Sequence, residues 1–195
     1  MYFIITLSGM LGSGKSTIGK MLAKELGYTF YSTGSAQRKI AKERNMTTLE
    51  LNQLSMTDTS IDEAIDSVFK KLDLEEENFV VDSRLGFFFI PSSFKVKLNI
   101  DTDEAAKRIF NDKTRTEERK YTSVAEAKQD LIKRRALEVE RFKTLYNADI
   151  DNEANFDLVV DTTQLSPDEI CKKILTKFKK FQKRCIQEMN CQQNR

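Results

Sequence analysis

Gly9-Met10-Leu11-Gly12-Ser13-Gly14-Lys15-Ser16-Thr17 follows the apolar run Tyr2-Phe3-Ile4-Ile5-Thr6-Leu7 and opens onto Ile18-Gly19-Lys20-Met21-Leu22-Ala23-Lys24-Glu25-Leu26. Strand, glycine loop and helix in that order are the setting of a phosphate-binding loop, so the chain is expected to bind a nucleoside triphosphate. Gly9, Gly12 and Gly14 let successive backbone N–H groups, with those of Ser13 and Thr17, turn inward around the β- and γ-phosphates. The helix N-terminus adds partial positive charge, Lys15 reaches the β/γ oxygens, and the Ser16 hydroxyl can ligate Mg²⁺.

Outward from the loop, short apolar strands alternate with longer helical patterns. The strands are expected at Phe3–Ser8, Thr29–Ser32, Phe79–Asp82, Val96–Asp101 and Leu158–Asp161. Helical periodicity runs through Ser16–Leu26, Ala36–Arg44, Leu49–Leu54, Ile61–Leu74, Thr102–Asn111, Val124–Tyr146 and Pro167–Phe181. The pattern predicts an α/β fold: a five-stranded parallel sheet with helices on both faces, in one domain spanning 1–195. Two stretches exceed a minimal alternation: an insert at about 33–72 and a polar segment at about 111–123. Residues 181–195 turn basic and then Gln/Asn-rich, and are expected to fray as a flexible tail.

Composition narrows the function. Lys+Arg 32 against Asp+Glu 30 leaves +2, no global excess to recruit nucleic acid or membrane, and nothing points to an obligate protein partner. The longest apolar run, Leu85–Pro91, is too short to span a bilayer, and Met1-Tyr2-Phe3 leads straight into the first strand. The three cysteines lack C-x-x-C spacing and suit a reducing compartment, so a cytoplasmic location is expected. The chain has no histidine, which excludes any mechanism needing an imidazole base.

A phosphate loop alone does not separate a kinase from a GTPase or a motor ATPase. The size and the two polar insertions favour a small-metabolite kinase, in which closing segments grip the acceptor and exclude water. Gly34 follows the second strand, and Arg38, one turn into the next helix, is placed to point at an acceptor phosphate. Asp82 ends the third strand, where a carboxylate can hold Mg²⁺ or orient the acceptor, and Arg84 offers a second guanidinium fork.

Ser32-Thr33-Gly34-x-x-x-Arg38, Ile40-Ala41-x-Glu43-Arg44-Asn45-Met46, Ile61-Asp62-x-x-Ile65-Asp66 and Val81-Asp82-Ser83-Arg84 resemble, in order, the motifs of cytidylate kinases. The resemblance is closest to the compact branch of that family. It continues through Arg108-Ile109, Arg134-x-x-x-Glu138-x-x-Arg141-Phe142, Tyr146-Asn147-Ala148-Asp149-Ile150 and Phe156–Thr162. It implies a P-loop nucleoside-monophosphate kinase fold in which 33–72 is the acceptor-binding insert and 111–123 the lid. It also implies ATP- and Mg²⁺-dependent phosphorylation of CMP or dCMP, with small-molecule nucleotides as the only ligands. Carried over by position, Lys15, Asp82 and Arg134 would be catalytic, and Arg38 and Arg84 would hold the acceptor phosphate. Arg134, Glu138 and Arg141 would line its sugar and phosphate side. Their spacing puts all three on one helical face, as a surface salt-bridge stripe also would.

Asp62 and Asp66 are candidates to accept from a cytosine amine, or else the solvated face of their helix, and Arg115 and Arg119 are lid candidates by location. Larger members follow the third-strand arginine with an aspartate used in base recognition, where this chain has Leu85, and they carry aspartate where it has Glu138. These departures leave the reaction class untouched and bear on base and ribose specificity. Phe87-Phe88-Phe89 reads as core packing before base stacking. Alternatives to CMP phosphorylation are another nucleotide or small-metabolite acceptor, or a catalytically weak nucleotide-binding regulator.

Overall fold

The computed structural model describes residues 2–55, 58, 60, 69, 72, 77–112 and 120–193. Its strands are β1 (Ile4–Gly9), β2 (Thr29–Ser32), β3 (Phe79–Asp82), β4 (Phe94–Asn99) and β5 (Leu158–Asp161). The helices are α1 (Lys15–Leu26), α2 (Thr33–Glu43), α3 (Thr48–Leu54), α4 (Gly86–Phe89), α5 (Thr102–Asn111), α6 (Val124–Tyr146) and α7 (Pro167–Gln193). A 3₁₀ turn covers Glu153–Asn155. The sheet is parallel throughout its pairings, in the order β2-β3-β1-β4-β5. β1 therefore lies between β3 and β4, where the winding reverses and a crevice opens beyond the strands' carboxyl ends. The loop Gly9–Gly14 sits at that crevice. Asp82 is level with Leu7 and Ser32 across the two neighbouring strands, which brings the end of β3 to the loop's side.

The nearly continuous apolar character of these strands reflects burial on both faces. One face presents Ile5, Leu7, Val80, Val96, Leu98 and Val160 to Ile18 and Leu22 of α1 and Ile170, Ile174 and Phe178 of α7. The four-residue spacing of Ile18/Leu22 and Ile170/Ile174/Phe178 puts each set on one stripe, and each such side chain contributes about 1.5–3 kcal/mol on burial. On the other face, Thr6 and Ser93 share a buried hydrogen bond (3.0 Å), while α4 and α6 enclose Leu85, Phe87, Phe142 and Ile150.

Several boundaries differ from the sequence-based expectation. α2 starts at Thr33, not Ala36, because the Ser32 hydroxyl accepts the Ser35 N–H and caps the helix directly after β2. β4 runs Phe94–Asn99, not Val96–Asp101, because the Asp101 carboxylate accepts the N–H groups of Asp103 and Glu104 and so opens α5. Phe87-Phe88-Phe89 forms most of the short helix α4. Phe87 packs on Phe156, and Phe89 stacks on Phe69 at 5.0 Å, so the run belongs largely to the core.

The expected flexible tail is a continuation of α7 to Gln193. Residues 182–193 contain no Gly or Pro to stop the helix, and Arg184 and Glu188 stand one turn apart at 4.0 Å. Apart from Phe69 and Leu72, both buried beside Leu51 and Val81, the expected helix Ile61–Leu74 lies outside the described residues. No helix among the described residues is long and apolar enough to cross a membrane.

Candidate active site

The loop after β1 is built where only glycine fits. A Cβ on Gly9 (φ 143°) would stand 2.4 Å from the Leu98 carbonyl oxygen, and one on Gly12 (φ 86°) 2.9 Å from that of Ala105. The loop is thus pressed between β4 and α5. Thr162, fully buried beyond β5, ties it down: its Oγ1 donates 2.9 Å to the Asn99 carbonyl and contacts the Ser13 carbonyl at 3.2 Å. Ser13 donates its N–H to Met10 O and buries its hydroxyl, so its part in the loop is shape. Lys15 folds over the loop, its Nζ donating to the carbonyls of Gly9 (2.7 Å) and Met10 (2.9 Å). The ammonium is thereby held at the mouth of the loop.

Asp82 is 4% exposed and gathers hydroxyls from separate elements. Ser16 Oγ donates to Asp82 Oδ2 at 2.5 Å, Ser32 Oγ reaches the same oxygen at 3.2 Å, and Thr33 Oγ1 donates to the Asp82 carbonyl at 3.3 Å. One buried carboxylate and one hydroxyl at a helix N-terminus are hard oxygen donors, the kind Mg²⁺ takes together with water and substrate phosphates. Among the described residues no cluster of three or more Asp, Glu, Cys or His could hold a metal by itself.

Past Asp82, Arg84 crosses to α6. Its Nε lies 2.6 Å from Glu138 Oε2, a charge contact without hydrogen-bond alignment, with the two side chains 13% and 4% exposed. Burial pushes the Arg84 guanidinium below its ordinary value; Glu138 and Asp82 oppose the shift, and Arg134 and Arg135 add to it. Asp130, Arg134, Glu138 and Arg141 form a buried charged face along α6, so the stripe read from spacing faces inward and not to solvent. Arg141 stacks over Phe142 at 4.9 Å, and Asp130 accepts from the Tyr121 hydroxyl at 2.6 Å. Arg38 sits on the first turns of α2, its Nη2 donating to Ser35 Oγ (2.9 Å) and its Nη1 beside Gly34, outside that buried cluster.

Leu85 is buried against Phe87, Phe142, Ala148 and Ile150, so the position of the missing recognition carboxylate belongs to the core here. Asp62, Asp66, Arg115 and Arg119 lie outside the described residues.

Sequence reasoning left three contributors without a role. Ser32 both caps α2 and holds Asp82, and Thr162 anchors the loop across 149 residues. The third is Arg108, whose Nη2 donates to the carbonyls of Thr162 (2.9 Å) and Thr163 (3.0 Å) while its Nε meets Glu104 (3.1 Å). So held, it walls a cavity of about 400 Å³ together with Gly12, Gly14, Thr17, Leu165 and Pro167, directly outside the phosphate loop. Arg108-Ile109 stood among the motif residues, but nothing local marked its reach to the end of β5.

Comparison with protein families matches residues 4–164 to the cytidylate kinase-like family. A cytidylate kinase of Ignicoccus hospitalis is 36% identical over 176 residues, covering 88% of this chain and 96% of that protein. An S-adenosylmethionine-dependent nucleotide dehydratase of Lacinutrix mariniflava is 35% identical over 177 residues, 90% of this chain but only 36% of that protein. Among solved structures, a gluconokinase of Sinorhizobium meliloti superposes with TM-score 0.61 at 16% identity, covering 96% of this chain and 97% of that one, a likeness of fold. The glycine loop closed by Lys15, the Ser16–Asp82 pair and the buried arginine face of α6 stand within the matched region, and the chain belongs to the cytidylate kinase-like family of phosphotransferases.

Proposed function

We infer that the protein transfers the γ-phosphoryl group of ATP in line to the phosphate of CMP or dCMP. The observation that carries the reading is the convergence of Ser16 and Asp82 beside the phosphate loop, with the Arg84–Glu138 pair and Arg134 next to it. ATP would lie with its phosphates in the loop under Lys15 and its nucleoside in the cavity walled by Arg108. Ser16 and Asp82 would hold Mg²⁺, which when bound supplies charge neutralisation to the triphosphate. Lys15 exchanges its two carbonyl contacts for phosphate oxygens, and Arg84, Arg134 and Arg141 receive the acceptor phosphate. Arg38 closes on it from α2. The attacking oxygen is already anionic, so positioning and electrostatics carry the catalysis, and the lack of histidine costs nothing.

Support for CMP comes from the cytidylate kinase relatives, and support for a nucleotide acceptor in general from the dehydratase relative as well. The deciding experiment measures ADP formation from ATP and Mg²⁺ with CMP, dCMP, UMP, AMP, GMP and dTMP, singly and with CMP and UMP in equimolar competition. A preference for CMP or dCMP of about tenfold or more supports the reading, since one mispaired buried polar group is worth about 1–3 kcal/mol. Equal use of CMP and UMP, or preference for a purine, overturns the CMP assignment. ADP formation that no acceptor stimulates leaves the nucleotide-binding regulator in its place.

A further inference from the structure

The charge of this chain is nearly balanced overall but not along α7. Between positions 172 and 184 the helix carries six lysines and Arg184, and no Asp or Glu occurs from Ile170 to Gln187, leaving the rest of the chain net acidic. All seven cations are exposed. Lys173, Lys177, Lys180 and Arg184 recur at steps of four, three and four, so they form one row with rungs roughly 5–6 Å apart. The adjoining stripe of the same helix, with Ile170, Ile174 and Phe178, is committed to the core.

This row borders an open groove of about 590 Å³, whose lining includes Leu158, Val159, Leu165, Lys172, Lys173 and Lys177. The groove runs along β5, which pairs with β4 and has no strand on its outer side among the described residues. Two carboxylates also line it, and both are turned to their own backbone. Asp161 accepts from the N–H and hydroxyl of Thr163, and Glu169 from those of Ser166. Both keep their negative charge, so Lys172, Lys173 and Lys177 leave the lining one positive charge in excess, and Lys180 and Arg184 add to it farther along the row.

We propose that the outer edge of β5 and the basic row of α7 form a docking site for an acidic, extended peptide segment of another protein. The segment adds to the sheet as a further strand, with acidic residues at every second position. Main-chain hydrogen bonds to an open edge supply affinity, and alternate side chains supply specificity. Alternate residues of a strand repeat at about 6.6–6.8 Å on one face, close to the rung spacing of the lysine row. Leu158, Val159 and Leu165 give the groove an apolar floor. Nucleic acid is the poorer fit, because no aromatic side chain lines the groove to stack a base. A lipid surface is poorer too, because the apolar side of α7 is turned inward along its first three turns.

The test uses the full chain and a fluorescein-labelled heptapeptide alternating glutamate and valine, followed by anisotropy at low salt. Saturable binding is expected, with Lys173→Glu/Lys177→Glu/Lys180→Glu weakening it by about tenfold or more as charge complementarity is reversed. A second peptide with its fourth and fifth residues both replaced by proline lacks an N–H facing the edge strand in either register and is expected to bind about tenfold more weakly. The triple variant is expected to keep the wild-type circular dichroism spectrum and Tm, which shows that it is folded. Three results overturn the proposal: no saturation below about 1 mM, equal binding of the proline peptide, or tighter binding of oligouridylate or phosphatidylserine vesicles than of the peptide. None of these readouts depends on which acceptor the kinase uses.

Discussion

Removal of Glu138 is expected to damage both stability and acceptor use, by an amount that follows from its surroundings. Its carboxylate is 4% exposed and lies 2.6 Å from the Arg84 guanidinium, which is itself 13% exposed. Arg134 and Arg135 already oppose the charge on Arg84, so Glu138→Ala would leave a buried cation among like charges with only Asp82 in compensation. Breaking a buried ion pair from one side costs about 3–5 kcal/mol, and the residual exposure of Arg84 places this case near the lower end. For a chain of this length about 3 kcal/mol corresponds to a fall in Tm of about 6–12 °C. Replacing both partners with apolar residues, Arg84→Met with Glu138→Leu, is expected to cost less, because neither charge is then buried alone.

Chemical denaturation and calorimetry on the wild type, Glu138→Ala and the double variant give the comparison. Steady-state kinetics on Glu138→Ala is expected to show acceptor KM raised about tenfold or more with ATP KM near wild type, if Arg84 holds the acceptor phosphate as proposed. A loss below about 1 kcal/mol, or a double variant less stable than Glu138→Ala, would refute the reasoning.

Lys15→Ala is expected to lower kcat by about 10²–10³, or about 3–4 kcal/mol of transition-state stabilisation, without unfolding the protein. Turnover within tenfold of wild type by coupled ADP assay would remove the phosphate-loop assignment. Asp82→Asn is expected to raise the Mg²⁺ concentration needed for half-maximal activity and to lower kcat, and chelation of Mg²⁺ to abolish turnover; an unchanged Mg²⁺ titration would take Asp82 out of the metal site. Burial, reinforced by Glu25 and Asp168, pushes the Cys171 thiol up to about 11 from an ordinary value near 9. At pH 8 a thiol-specific chromogen should therefore label the exposed Cys191 promptly and Cys171 only after unfolding. Above pH 9 the unfolded chain loses the Cys171 proton before the folded one does, so this contribution to stability declines as pH rises toward 11.

What could be read from residue order was whatever repeats or closes locally. The strand–glycine–helix run through Lys15, the helical periodicities, the short apolar runs, and β2, β3 and β5 to the residue all rest on interactions within one turn or one strand. Even the local misreadings have local causes: Ser32 and Asp101 are caps, and a cap moves an element's start by a few residues. Spacing put Arg134, Glu138 and Arg141 on one face but could not say which way that face pointed. The packing of Leu131 and Phe142 on the same helix turns it inward, and burial makes its charges into a site.

The remaining contacts join residues far apart in the chain: Ser16 to Asp82 across 66 positions, Thr162 to Ser13 across 149, and Arg84 to Glu138. No periodicity encodes such pairs. They exist because a parallel sheet wound in the order β2-β3-β1-β4-β5 delivers its carboxyl ends to one edge, and because buried polar groups there must find partners. Local sequence specified the phosphate loop and its chemistry, while the tertiary winding decided which carboxylate, hydroxyl and guanidinium would meet it.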